Sequence, residues 1–349
     1  MPTDRPIIVV GCPRSGTTML QLMLHAHPRI AIPPETRFVL AAYREYREFG
    51  DLRLPENRRA LARRIVDRVE TRFCDLGLDP EETVERIAAG PGTLGSVLAT
   101  IFQSYAARFG KPRWGDKRPA YLHNVDILVR LFPDAQFINI VRDGRDCVAS
   151  LKEMSWHRKD IYATVAAWAR AVDDARRAAR SLGGSQWYEL RYEDLVADPH
   201  ARLTELCSYL GEEYHPAMAE PSAVAEVAVP SFKTWHARTH TPVTTQRVQS
   251  WQTRLTAEEI ALCEAALGSR LVANGYELSG AGRPASAELI RYRWTATPQQ
   301  FFPARRGLSR AAGRLRRDPE IAHQPTTVLA QRTASSTGEA DRRIDAGQA

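Results

Sequence analysis

Ile7-Ile-Val-Val-Gly-Cys-Pro-Arg-Ser-Gly-Thr-Thr18, continuing as Met19-Leu-Gln-Leu-Met-Leu24, decides the fold. The run 7–10 is wholly apolar and β-branched, the pattern of a parallel strand buried on both faces. Gly11 to Gly16 form a tight loop. Residues 17–24 carry a helical pattern that stops near Pro28, which cannot continue a helix. Strand, glycine loop and helix together aim backbone N–H groups and a helix N-terminus at an anion. The two glycines have the spacing of G-x-x-x-x-G-K-[ST], but Thr17 stands where a nucleoside-triphosphate loop has its lysine. That lysine reaches the β- and γ-phosphates, so its loss argues against ATP or GTP. A cation appears inside the loop instead, as Arg14.

Outward from this stretch, strands and helices alternate. Residues 136–141 (Gln-Phe-Ile-Asn-Ile-Val) read as a second strand with a helix over 143–154, and 187–190 as a third strand. Helices are predicted over 36–49, 56–73, 80–89, 93–109, 121–132, 161–182, 201–210 and 257–267, with Pro55, Pro80 and the Gly90-Pro-Gly92 run as breaks. This order implies an α/β fold: a P-loop-like, doubly wound parallel sheet flanked by helices. Residues 1–280 are read as one domain with a helical insertion at about 36–110. Residues 281–349 read as a low-complexity, Arg-rich, disordered basic tail, in which 301–317 has the pattern of a short basic amphipathic helix.

Charge supports that division. The 349 residues carry a net +7, and six of those charges lie in 281–349, where twelve Arg face six acids. The first 280 residues are nearly neutral, so the net charge does not argue for a nucleic-acid-binding face on the main domain. Five widely spaced cysteines, with no C-x-x-C, suggest neither a disulfide framework nor a zinc site. No stretch approaches the 18 or so apolar residues of a membrane span, and 6–10 is too short for a signal-peptide core. A cytoplasmic protein is expected.

The second strand delivers Arg142 at its C-terminal end, where open α/β sheets bind ligands. Ser150 follows eight residues later, about two helical turns on. Arginine and hydroxyl can then converge on one phosphate. Arg145 and Asp146 are expected to pair locally.

The loop Pro13-Arg-Ser-Gly-Thr-Thr18 together with Arg142-x7-Ser150 resembles the sulfotransferases that use 3′-phosphoadenosine 5′-phosphosulfate (PAPS). The resemblance implies that Arg14, Ser15, Gly16, Thr17 and Thr18 hold the 5′-phosphosulfate, and that Arg142 and Ser150 hold the 3′-phosphate. From Pro13 through His25-Ala-His-Pro28 to Glu35-Thr-Arg37 the chain is similar to tyrosylprotein sulfotransferases and related bacterial enzymes, which makes Glu35 the catalytic base. In Trp114-Gly-Asp-Lys-Arg-Pro119, Lys117 matches a family lysine, while Arg118 and Pro119 stand where the cytosolic branch has a histidine base. Lys117 with Arg14 is then the electrostatic clamp on the leaving phosphate. His123 is the alternative base, and His25 and His27 read as structural.

Tyr192 matches a family tyrosine near the adenine, although a strand-capping core tyrosine fits the same position. Arg247-Val-Gln-Ser-Trp251 occupies the place of an R-x-G-x-W lid, with Gln249 where the glycine stands. The implied function is sulfuryl transfer from PAPS, without a metal, to a hydroxyl of a small metabolite, lipid or glycan. A nucleotide kinase and a non-enzymatic binder of anionic polymer through the tail are the rival readings. Acceptor identity and oligomeric state are not legible.

Overall fold

The computed structural model describes residues 4–224, 243–298 and 321–324. The chain divides into two compact units. The first comprises residues 1–36, 105–129 and 134–317, and the second 37–104, 130–133 and 318–349.

The first unit is built on a five-stranded sheet: β1 (Ile7–Gly11), β2 (Ile30–Ala31), β3 (Arg113–Lys117), β4 (Gln136–Val141) and β5 (Trp187–Arg191), in the order β2-β3-β1-β4-β5. Every pairing is parallel. In register, Val9 lies beside Lys117 on one side and Ile138 on the other. β1 and β4 are buried along their whole length, as their apolar sequences require. Helix α1 (Thr17–Ala26) follows β1 and contributes Leu20, Met23 and Leu24 to a core shared with Ile7, Val9, Ile138 and Ile140.

β3 was not foreseen. Three of its five residues are charged, yet the whole strand is buried. Its charges are each matched. The Arg113 guanidinium donates to the Leu210 carbonyl, to Glu212 at 3.1 Å and to Gln136 at 2.5 Å. Buried charge survives in a core only with such partners.

The second unit contains helices α2 (Phe38–Glu45), α3 (Pro55–Asp67), α4 (Pro80–Ala89) and most of α5 (Leu94–Ala107). Arg58 of α3 is buried and donates to the carbonyls of Ile87 and Ala88 at the end of α4, a cation on the negative pole of a helix. Two stretches of the expected tail are ordered. Ile321 is buried in this unit, where its carbonyl accepts from Gly95 N at 2.7 Å while His323 N donates to Leu131 O at 2.7 Å. A Cβ on Gly95 would meet both backbone strands at 2.4 Å, so glycine permits that approach. Residues 286–298 are helical in the first unit, with Tyr292 and Ala296 buried. Composition alone hides these anchors because each needs only one or two apolar residues. Residues 299–320, which include 301–317, and 325–349 lie outside the described residues, as do 225–242.

The remaining helices of the first unit follow the strands. They are α6 (Val125–Leu131, its start only), α7 (Gly144–Lys152), α8 (Ile161–Leu182), α9 (Tyr192–Ala197), α10 (Pro199–Leu210), α11 (Trp251–Arg254) and α12 (Ala257–Val272). Where one helix was expected over 121–132, the chain forms a 3₁₀ segment, Pro119–Asn124, before α6. Pro119 fixes that tighter start.

Candidate active site

Four neighbouring strands, β3, β1, β4 and β5, end on one edge of the sheet, and each hands a side chain to the same cleft of about 780 Å³. The cleft is lined by Lys117 from the end of β3, Arg14 and Gly16 to Thr18 from the turn after β1, Arg142 after β4 and Tyr192 after β5. Glu35, Ser150 and Arg247 complete its polar lining among the residues singled out from sequence. Ser15 lies in the same turn but is fully buried, and its Oγ has no hydrogen-bond partner.

The first turn is bent by two left-handed residues, Arg14 at φ 71° and Gly16 at φ 99°. Gly16 is required on space as well as on φ, since a Cβ there would lie 2.6 Å from the Tyr192 ring. Arg14 Nε donates to Ser150 Oγ at 2.9 Å. Burial first, and then the nearby Arg142, lower the pKa of Arg14 from its usual value, as expected where cations gather without a matching anion.

Arg142 is buried and held on three sides. Nη1 donates to the Arg14 carbonyl at 3.1 Å, Nη2 donates to the Arg247 carbonyl at 2.5 Å, and Asp146 lies 3.6 Å away. Its guanidinium also lies over the Tyr192 ring, 4.4 Å from the centroid. One donor, Nε, is buried without a partner. The expected Arg145–Asp146 pair does not form. Arg145 is turned to Asp143 at 2.7 Å and Glu264 at 2.6 Å, and stacks on Trp251 at 4.0 Å. Asp146 instead accepts from Ser250 Oγ and Trp251 N, fastening the 250–251 segment beside Arg142. Asp146 lies in the first turn of α7, four residues after Arg142, with its carboxylate 3.6 Å from Arg142 Nη2.

On the other side of the cleft, Lys117 Nζ lies 3.6 Å from Glu35 Oε2 and 3.5 Å from Thr18 Oγ1. Arg118 Nε is 3.9 Å from Glu35 Oε1. Burial lowers the Lys117 pKa, and the charges of Glu35 and Asp116 oppose that shift. His123 is not part of this arrangement. Its Nδ1 is 2.5 Å from Asp174 of α8. His25 and His27 are buried and hydrogen-bonded to backbone near the end of α1.

The sequence profile described as the sulfotransferase family matches residues 6–216, more than half of the chain. The chain belongs to the sulfotransferase family. Nodulation protein NoeE of Sinorhizobium fredii is 27% identical over 86% of this chain and 74% of its own length. The protein-tyrosine sulfotransferase of Drosophila melanogaster is 25% identical over 62% of this chain, and the chain covers 40% of that protein. Among solved structures, the sulfotransferase domain of the Synechococcus PCC 7002 olefin synthase superposes with a TM-score of 0.50 at 26% identity, covering 75% of this chain and 95% of that one. The sulfotransferase domain from the curacin biosynthetic pathway superposes at 0.54 and 20% identity, covering 80% of this chain and 100% of that domain, and shares the fold.

Several residues of this sulfotransferase cleft were not singled out from sequence. Met19, Leu22, Met154 and Trp156 form apolar lining, and Glu153 and Arg254 line it as a bidentate pair with both contacts at 2.6 Å. Leu22 and Met154 follow Thr18 and Ser150 by four residues, a helical spacing and a signal that was available. The Glu153–Arg254 pair spans 101 residues and had none. Gln249, in the place of the expected glycine, takes the conformation glycine would, at φ 55°. All five cysteines are free thiols. Among the described residues no helix is long and apolar enough to cross a membrane, and no group of three or more His, Cys, Asp and Glu could hold a metal ion.

Proposed function

We propose that this protein transfers a sulfuryl group from PAPS to the hydroxyl of a small metabolite, lipid or glycan, with Glu35 as general base. The observation that carries the reading is the convergence of Arg14, Arg142 and Lys117 on the C-terminal edge of the sheet, with the Glu35 carboxylate 3.6 Å from Lys117. The residues suit a donor with two anionic ends. The turn 11–18, with the orphaned Ser15 Oγ and the crowded Arg14, fits the phosphosulfate, and Tyr192 sits beside it for the adenine. Arg142, with an unpartnered buried Nε, and Ser150 fit the 3′-phosphate. The helical second unit, with its core at 37–104, is assigned to acceptor recognition.

In the proposed reaction the acceptor oxygen attacks sulfur as its proton passes to Glu35. A new O–S bond forms while the S–O bond to the 5′-phosphate breaks, and the charge left on that phosphate faces Lys117 and Arg14. Fixed cations at the point where charge develops lower the barrier most in a site screened from water. Lys117 is placed for this because its ammonium is buried against Glu35 and Thr18 rather than solvated. Calorimetric titration with 3′-phosphoadenosine 5′-phosphate (PAP), with ATP as control, tests the donor. Binding of PAP with ATP ignored supports the reading, and preference for ATP with magnesium overturns it. Glu35→Gln tests the base: turnover should fall about 10²-fold or more with PAP affinity kept, and unchanged turnover removes Glu35 from the mechanism.

A further inference from the structure

Behind the cleft, on the opposite face of β3 from Lys117, lies a fully buried carboxylate that the proposed reaction does not use. Asp116 is 1% exposed. Its Oδ1 accepts from the backbone N of Lys117 at 2.8 Å. Its Oδ2 accepts from Tyr121 Oη at 2.5 Å and, at a longer 3.4 Å, from Thr36 Oγ1. Thr36 and Tyr121 are themselves wholly buried. Thr36 directly follows Glu35, and Asp116 directly precedes Lys117. One carboxylate therefore holds the backbone N–H of Lys117 and the side-chain hydroxyl of the residue after Glu35, and Tyr121 locks it from behind.

We infer that Asp116 is a positioning residue, which with Thr36 and Tyr121 holds Glu35 and Lys117 at their working separation. The inference rests on the reading of Glu35 as base and Lys117 as clamp. Two physical points favour it over a role in stability alone. A β-branched or apolar residue would serve a buried parallel strand better, since burying an ionised carboxylate is costly even with three donors. Burial raises the pKa of Asp116 to about 6 despite the hydrogen bonds from Tyr121 and Lys117. At neutral pH the fold therefore carries an ionised carboxylate whose burial is unfavourable. What the charge provides is geometric: two acceptor oxygens whose lone pairs can accept from two elements at once, where a hydrophobic side chain could accept from neither.

The test compares Asp116→Asn and the isosteric Thr36→Val with Glu35→Gln. Sulfuryl transfer from ³⁵S-labelled PAPS is followed to 4-nitrophenol or, if that phenol is refused, to water. PAP affinity and the melting temperature at pH 7 are measured alongside. Asp116→Asn should lower kcat about 10²-fold, because displacement of reacting groups by about 1 Å costs that much. PAP affinity should stay within about twofold and the melting temperature should not fall. Thr36→Val should lower kcat about tenfold with the donor KM unchanged. In the Glu35→Gln background Asp116→Asn should add little, since residues that act as a unit are non-additive. A collapse of kcat in Glu35→Gln with none in Asp116→Asn and Thr36→Val overturns the inference and leaves the base standing. A kcat loss in Asp116→Asn that tracks a lower melting temperature reduces Asp116 to a structural role. Full activity in Glu35→Gln overturns the underlying reading instead.

Discussion

The β1–α1 turn and the β4–α7 turn both follow a fully buried strand, and both bring an arginine to the cleft, yet they handle its charge in opposite ways. The first turn is built from backbone. Arg14 and Gly16 lie in the left-handed region, Ser15 is buried with an orphaned hydroxyl, and no carboxylate pairs Arg14 among the contacts of that turn. The second turn is built from side chains. Asp143 and Glu264 neutralise Arg145, Asp146 faces Arg142, and the 247–251 segment is fastened to both. An anion reaching the first turn meets positive potential at once. One reaching the second meets a guanidinium already oriented by a neighbour. The first is therefore a cradle whose cost is stored strain, and the second is a preorganised fork whose cost is a buried acid.

Breaking the second turn should have the largest effect. Arg142→Ala removes hydrogen bonds to two carbonyls and leaves Asp146 buried with no cation in place. PAP affinity should fall about 10²- to 10³-fold, from a charged phosphate contact of about 3–4 kcal/mol. Folding stability should fall by about 3 kcal/mol, because an uncompensated buried charge is left behind. Calorimetry and urea denaturation measure the two, and a loss of affinity without loss of stability would show that Asp146 is satisfied by other means.

Breaking the first turn separates charge from strain. Arg14→Ala and Arg14→Gly both remove the guanidinium and should both weaken PAP about tenfold. Only the glycine variant relieves the φ of 71°, so it should be the more stable of the two by about 1 kcal/mol. Equal stability would mean that the turn is not strained at residue 14.

The contrast also explains what the sequence disclosed. Backbone-built features are legible because glycine spacing and an apolar run are local signals, and β1, its turn, α1, β4 and Arg142 could be read that way. Side-chain networks are not, since their partners come from anywhere. β3 was missed because Arg-Trp-Gly-Asp-Lys looks like a polar loop until Glu212, Tyr121 and Glu35 are seen to meet its charges. The Arg145–Asp146 pairing was misjudged for the same reason: adjacency suggested a pair that Glu264, 119 residues away, had already taken.

The end of α1 offers a pH-dependent sharpening. His25 accepts from Ile32 N through Nδ1, and burial, followed by Lys111, lowers its pKa to about 4. Between about 4 and its ordinary value the unfolded chain binds more protons than the fold, so stability contributed by neutral His25 is lost as pH falls through that window. Asp116 acts in the opposite sense, because a pKa raised to about 6 makes the fold bind more protons than the unfolded chain and gain stability on acidification. His25→Gln removes the first slope and leaves the second in place. Its stability relative to wild type should therefore rise on going from pH 7 to pH 4.5, by roughly 2–3 kcal/mol. Urea midpoints at the two values measure it, and parallel pH profiles would show that His25 is not the titrating group.

The smallest effect tests whether strain in the 247–251 segment is structural or functional. Gln249 sits at φ 55°, where the resemblance to R-x-G-x-W places a glycine, and the segment is held open to that shape by Asp146 on Ser250 and Trp251 and by Arg142 on the Arg247 carbonyl. Gln249→Gly relieves the left-handed penalty but loosens the unfolded chain, for a net gain of about 0.5–1 kcal/mol. If the gain appears with PAP affinity unchanged, the backbone shape of the segment is what the site uses and the glutamine is a tolerated replacement. If affinity falls although stability rises, the Gln249 side chain itself serves the site, and this second turn then shares with the first the use of a non-glycine residue in glycine's conformation.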